Sequence, residues 1–132
     1  MDVFKTHGAF SWSELITPAP DKAAEFYGSL FGWKLESMPM PGAAPGEIYR
    51  VAKVGETAVA GMFKTPADQP LPPHWMTYVT VQDVDATAAK AVELGGKILM
   101  PVTDIPTVGR MATLQDPQGA VINVITYASQ MS

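Results

Sequence analysis

The sequence predicts a single α+β domain made of two copies of one strand–helix–strands unit, and three observations point there. A length of 132 residues suits one domain and leaves little chain for a second core. The same order of strand, helix and strand signals occurs twice along it. A shift of 63 residues superposes Trp12 on Trp75, Thr17 on Thr80, Ala23 on Ala86, Gly32 on Gly95 and Lys34 on Lys97. A shift one residue larger superposes Asp21 on Asp85, Ala24 on Ala88 and Gly32 on Gly96, so the register of the duplication stays open. The first module spans about residues 8–63, a linker 64–73, and the second module about 74–127.

Ala9 to Thr17 mixes aromatic and branched residues in partial alternation, with Trp12, Glu14 and Ile16 on one face of a strand. Pro18, Pro20 and Asp21 signal a helix start, because proline suits the first turn and a carboxylate favours the positive end. Ala23, Phe26, Tyr27 and Leu30 recur at helical spacing until Gly32, placed for a left-handed cap, so the helix covers Asp21 to Phe31. A short strand at Trp33–Glu36 precedes a proline- and glycine-rich loop from Met38 to Gly46. Glu47–Lys53 and Ala58–Phe63 are strands about the turn Val54-Gly55-Glu56-Thr57. Lys64 to Pro73, with Pro66, Pro70, Pro72 and Pro73, has the composition of a polyproline-like linker.

In the second module Trp75–Val81 is a strand, and Asp83 is an N-cap for a helix carrying Ala88, Ala89 and Val92, ended by Gly95-Gly96. Lys97–Met100 is a short strand, followed by a loop with Pro101, Pro106 and Gly109. Met111–Gln115 and Ala120–Thr126 are strands joined by Asp116-Pro117-Gln118-Gly119, a turn sequence.

Composition removes several function classes. A net charge of −4 without a basic stripe argues against a nucleic-acid partner and an anionic membrane surface. The absence of cysteine excludes disulfides, thiolate metal sites and thiol nucleophiles. No apolar run could span a bilayer and the first residues carry no leader pattern, so a soluble cytoplasmic protein is expected. Eight methionines suit gap-filling in the core or an irregular apolar cavity.

Ala23-Ala24-Glu25-Phe26-Tyr27 with Leu30-Phe31-Gly32-Trp33, and then Val81-Gln82-Asp83-Val84-Asp85, Leu94-Gly95-Gly96 and Asp116-Pro117-Gln118-Gly119, carry a resemblance. In this order, from about Gly8 to Tyr127, the chain resembles the vicinal oxygen chelate superfamily: the glyoxalase, bleomycin-resistance and extradiol-dioxygenase group. The resemblance implies two βαβββ modules whose strands form a U-shaped half-barrel around a small-molecule cavity, and a chain that pairs as a homodimer. In the superfamily's metalloenzymes, His, Glu or Gln on the first and last strands of each module hold a divalent ion that polarises substrate oxygens.

Carried over position by position, the implied ligand set is missing. Trp12 stands at the first-strand position, Ala60, Gly61 and Met62 surround the second, Met76 stands at the third and Asn123 at the fourth. Trp and Met offer little to a hard or borderline cation, so no metal and no cofactor are expected. A strand slip of one residue would reverse the faces. Glu14 lies two residues beyond Trp12 and His74 two before Met76, so if both face inward they are the two side chains available to a metal at the cavity mouth.

The expected pocket contains Trp12, Met62, Trp75, Tyr78 and Met111, with Glu14 and Asn123 as polar fixing points. Glu14, unusual on an apolar strand, is the candidate base or anchor for a ligand amine or hydroxyl. Its alternative is an end-of-strand residue that reaches water or pairs with Arg50 or Arg110. Trp12 and Trp75 have a core-closing alternative, His74 a solvated or backbone-bonded one, and His7 lies on an arm expected to be mobile and without a role. Asn123 needs a ligand, water or backbone partner if buried. Three functions are consistent with these residues. The leading one is a metal-free small-molecule binder that sequesters an aromatic or drug-like compound. The second is a lyase, isomerase or dioxygenase using a degenerate metal site or Glu14 as base. The third is a dimeric interaction protein with a vestigial pocket.

Overall fold

Element order follows from where the chain can alternate and where proline and glycine interrupt it. The computed structural model describes residues 1–41, 46–66, 68 and 71–128. The loop residues 42–45 and, in the linker, 67 and 69–70 (including the expected Pro70) lie outside the described residues. The chain forms two units, residues 12–76 and residues 77–132 together with 1–11. The class is α+β, and each unit is a helix with a four-stranded mixed sheet.

In the first unit, β1 (Phe10–Thr17), α1 (Pro20–Phe31), β2 (Lys34–Pro39), β3 (Ile48–Val54) and β4 (Thr57–Lys64) give the sheet order β2-β3-β4-β1. β1 runs parallel to β4, while the β2–β3 and β3–β4 pairs are antiparallel hairpins. Pro20 occupies the first turn of α1, and Gly32 caps its end at φ 74°, donating its N–H to the Gly28 carbonyl. β2 continues three residues past its expected end, so Met38 is in a strand rather than a loop. It stands on a sheet edge, where Pro39 can pair with Ile48 without interrupting a second ladder.

The second unit repeats the plan with β5 (His74–Thr80, of which Thr77–Thr80 lie in this unit), α2 (Val84–Glu93), β6 (Lys97–Ile105), β7 (Gly109–Gln115) and β8 (Val121–Tyr127) in the order β5-β8-β7-β6. Asp83 caps α2 by accepting from the Ala86 N–H at 3.1 Å. The Asp116 side chain accepts from the Gln118 and Ala120 N–H groups and so builds the β7–β8 turn. β6 runs through Pro101, where a loop was expected. The strand lies at the outer edge of its sheet, and register shifts at Ile98/Met100 and Met100/Thr103 absorb the proline.

Strand alternation separates two faces in each unit. Beneath α2, Val81, Val84, Ala88, Ala112, Leu114 and Val124 form a closed apolar cluster. On the α1 side of the first unit, Leu15, Ala52, Ala60 and Met62 are buried. Both helices are tied to the third strand of their unit through the acidic residue of the first turn. Arg50 donates to Asp21, and Arg110 grips Asp85 through two bonds of 2.9 Å. The duplication therefore extends to an ion pair that the sequence shift alone does not reveal. The N-terminal arm is docked rather than mobile: Gly8 and Ala9 pair with Thr80, and Phe4 packs edge-on against Tyr127. His7 Nδ1 accepts the Gln82 N–H at 3.0 Å. No helix among the described residues is long and apolar enough to cross a membrane.

The hydrogen bonds from Arg110 hold the Asp85 carboxyl below its ordinary value. A depressed carboxyl contributes stability above its unfolded pKa of about 3.9, and this is lost as pH falls through the folded value. Urea unfolding of Asp85→Asn at pH 7 and pH 3 is expected to show a smaller loss between the two pH values than the parent chain shows.

Candidate ligand-binding site

On the face of the first unit turned away from α1, the strand registers align two rows of side chains. Glu36, Val51, Gly61 and Glu14 form one row, and Met38, Tyr49, Phe63 and Ile16 form the next. Trp12, two residues before Glu14, shares that face. Tyr49 reaches diagonally from its own row across Gly61 to Glu14. Its hydroxyl donates to Glu14 Oε2 at 2.7 Å and accepts from Trp12 Nε1 at 3.0 Å. The direction is set by chemistry, since an indole N–H can only donate and so fills an acceptor position on the phenol oxygen. The phenol proton goes to the carboxylate, making a bond of the charge-assisted length and class.

Gly61 is what permits this reach. A Cβ at position 61 would overlap the Tyr49 hydroxyl and ring, so any side chain there displaces the phenol from Glu14. Tyr49 in turn stacks on Phe63 with centroids 6.2 Å apart and an interplanar angle of 29°. Glu14 is only 9% exposed, and neither arginine considered for it is its partner. Arg50 lies across the sheet with Asp21, and Arg110 is held by Asp85 and Asp104.

The second unit gathers three other expected pocket residues. Asn123 stands between Tyr78 and Thr113 in the sheet, almost fully buried, and its Oδ1 accepts the Thr113 hydroxyl at 2.6 Å. The Tyr78 hydroxyl points to Met111 Sδ at 4.0 Å, on the same face. Two expected residues lie elsewhere. Met62, fully buried, pairs with Leu15 and therefore stands on the α1 side, opposite to Glu14. Trp75 donates its indole N–H to Tyr27 of α1 at 3.1 Å and packs edge-on against Trp33 and Tyr27. It belongs to an aromatic cluster on the helix side. Tyr49, Gly61, Phe63 and Thr113 are not singled out by the sequence. Only Gly61 carries a signal, because glycine inside a strand marks a close approach.

Among the described residues, no three or more His, Cys, Asp or Glu side chains form a group that could hold a metal. The groups beside Glu14 include a phenol, an indole and a glycine, and His74 has its Nδ1 hydrogen-bonded with the Pro72 carbonyl at 2.7 Å.

With this geometry in hand, comparison with known proteins defines the class. Residues 9–124 match the family model of the Glyoxalase/Bleomycin resistance protein/Dioxygenase superfamily. The chain belongs to that superfamily. CFP32 of Mycobacterium tuberculosis (strain CDC 1551 / Oshkosh), which carries a provisional glyoxylase name, is 44% identical over 123 residues, covering 93% of this chain and 46% of that protein. The anthracycline biosynthesis protein DnrV of Streptomyces peucetius is 36% identical over 118 residues, covering 89% of this chain and 41% of DnrV. The chain thus spans a little under half the length of these two relatives. A methylmalonyl-CoA epimerase solved in complex with methylmalonyl-CoA and NH4+ superposes with a TM-score of 0.68 at 18% identity, covering 94% of this chain and 97% of the epimerase. The epimerase from Mycobacterium tuberculosis gives 0.64 at 15% identity, covering 89% and 86%. These two likenesses show a shared fold.

Gly61→Ala is expected to force Tyr49 aside and destabilise the chain by about 1–3 kcal/mol, the usual cost of overpacking. A lowered thermal midpoint with a changed near-ultraviolet tyrosine and tryptophan signal is the readout.

Proposed function

We propose that this chain is a metal-free small-molecule-binding member of its superfamily, holding an aromatic or drug-like compound against the Trp12–Tyr49–Glu14 face. The observation that carries the reading is the bond from Tyr49 to Glu14. It stabilises a carboxylate on an aromatic surface by hydrogen bonding, where the superfamily's metalloenzymes use a cation. Trp12, Tyr49 and Phe63 supply the apolar wall, and Glu14 supplies the fixing point. On the second unit, taken by itself, Tyr78, Met111 and Asn123 are proposed as ligand contacts. Isothermal titration against a broad panel of planar and glycopeptide-like compounds is expected to find binding that Glu14→Gln weakens. No binding across the panel would overturn the reading.

A second reading, an acid–base lyase or isomerase, draws on the glyoxylase name of CFP32 and on the same buried carboxylate. Glu14 would then take a proton from the substrate, and Glu14→Gln would abolish turnover. Turnover that survived the change would exclude that role.

We further propose that the chain pairs as a homodimer. Support comes from relatives about twice its length and from α1, which buries none of its residues and leaves Phe26 61% and Leu30 58% exposed. Light scattering is expected to give the mass of two chains, and Phe26→Ser with Leu30→Ser the mass of one. A parent chain of single mass would remove the proposal.

A further inference from the structure

The N-terminal arm is a small folded body. The Asp2 carbonyl accepts from the Lys5 N–H and the Thr6 hydroxyl, the Asp2 side chain accepts from the Phe4 N–H, and the Thr6 carbonyl accepts from the Ala9 N–H. Tied together in this way, residues 2–9 dock on their own unit. Gly8 and Ala9 bond to the Thr80 backbone at 2.8 Å, the Thr80 hydroxyl donates to the Val3 carbonyl at 2.7 Å, and Phe4 packs edge-on against Tyr127. His7 supplies a further attachment, and unlike these it depends on a proton. Its Nδ1 accepts the Gln82 N–H at 3.0 Å. A backbone N–H can only donate, so Nδ1 carries no hydrogen here and the ring is neutral. A protonated imidazole donates from both nitrogens, and two N–H groups would then face each other. The side chain is exposed, so protons reach it directly from solvent.

The charged groups on the elements packed here are Asp2 and Lys5 of the arm, Asp83 and Asp85 at the start of α2, Asp104 of β6 and Arg110 of β7. Asp2 is engaged in its own turn, Asp83 caps α2, and Asp85 and Asp104 hold Arg110. Among the described residues no carboxylate pairs with His7. Protonation therefore removes the Gln82 bond with no ion pair in place to offset it.

We infer that the arm is an acid-released strap, in which neutral His7 latches residues 2–9 to the second unit and protonated His7 lets them lift as a body. Imidazole changes charge between pH 5 and 8. The latch is closed above that range and opens as pH falls through it. Lifting the arm exposes the Phe4–Tyr127 contact and frees the Thr80 backbone groups that Gly8 and Ala9 occupy. The inference stands apart from the small-molecule reading and needs no ligand.

The test is residue-resolved amide exchange of the parent chain at pH 7.5 and pH 5, each rate divided by that of an unstructured amide at the same pH. Protection at Gln82, Gly8 and Thr80 is expected to fall about fivefold from pH 7.5 to pH 5, the scale of one hydrogen bond. Val81, whose N–H goes to the Ile125 carbonyl, is expected to stay within about twofold. Gly8 and Thr80 make no bond to the imidazole, so they report the arm rather than the single bond. His7→Asn puts an acceptor oxygen where Nδ1 stands and does not titrate, so its two protection values are expected to agree within about twofold. His7→Ala is expected to be loose at both pH values. Unchanged protection in the parent chain, a loss confined to Gln82, or an equal loss in His7→Asn would overturn the strap. The parent chain needs no variant to give the first two results, so they decide the matter even if a variant does not fold.

Discussion

A carboxylate in the middle of a strand that loses almost all contact with water has to be compensated locally, and much of the first unit's detail follows from how this is done. Burying an ionised group without a partner costs several kcal/mol or more, whereas a hydrogen bond to a charged acceptor returns about 1.5–3 kcal/mol. Tyr49 provides that bond to Glu14 from a neighbouring row of the sheet, and Trp12 orients the phenol by donating to its oxygen. The reach across the intervening strand is possible because residue 61 has no Cβ. One hydrogen bond thus constrains residues on β1, β3 and β4 at once.

The two halves of the chain spend their similarity differently. Both keep the ion pair between the first turn of the helix and the third strand, Arg50 with Asp21 and Arg110 with Asp85, which holds each helix to its sheet. On the faces away from the helices they diverge. The first unit carries an acidic, aromatic arrangement around Glu14. The second carries a neutral one, in which Asn123 is held by Thr113 and Tyr78 points to Met111. Scaffold contacts have been retained in duplicate while the chemistry of the two faces has separated.

Proline and glycine explain both the accuracy and the errors of reading elements from the chain. The αL end of α1 at Gly32, the Asp83 cap and the Asp116 turn are local devices, complete within four or five residues, and each stands where its residues indicate. β6 and β2 run past their expected ends because an edge strand tolerates a proline that a central strand would not. Edge or centre is a property of the sheet and is not written in the strand itself. The docked N-terminal arm is missed for a similar reason, since its partners at Thr80, Gln82 and Tyr127 are distant in sequence.

From residues alone came the class, the duplication, the helix ends, and Trp12, Glu14 and Asn123 as side chains of note, because periodicity, capping and a lone charge on an apolar strand are local signals. Tertiary structure decided on which face of its own unit each of the other candidates stands. Met62 and Trp75 fall on the helix side of the sheet, and Tyr49, Gly61 and Phe63 stand beside Glu14 unannounced. The physical reason is the two-residue period of a strand. It tells which residues of one strand share a face, but which face, and which residue of the next strand stands beside it, is settled only when the strands pair.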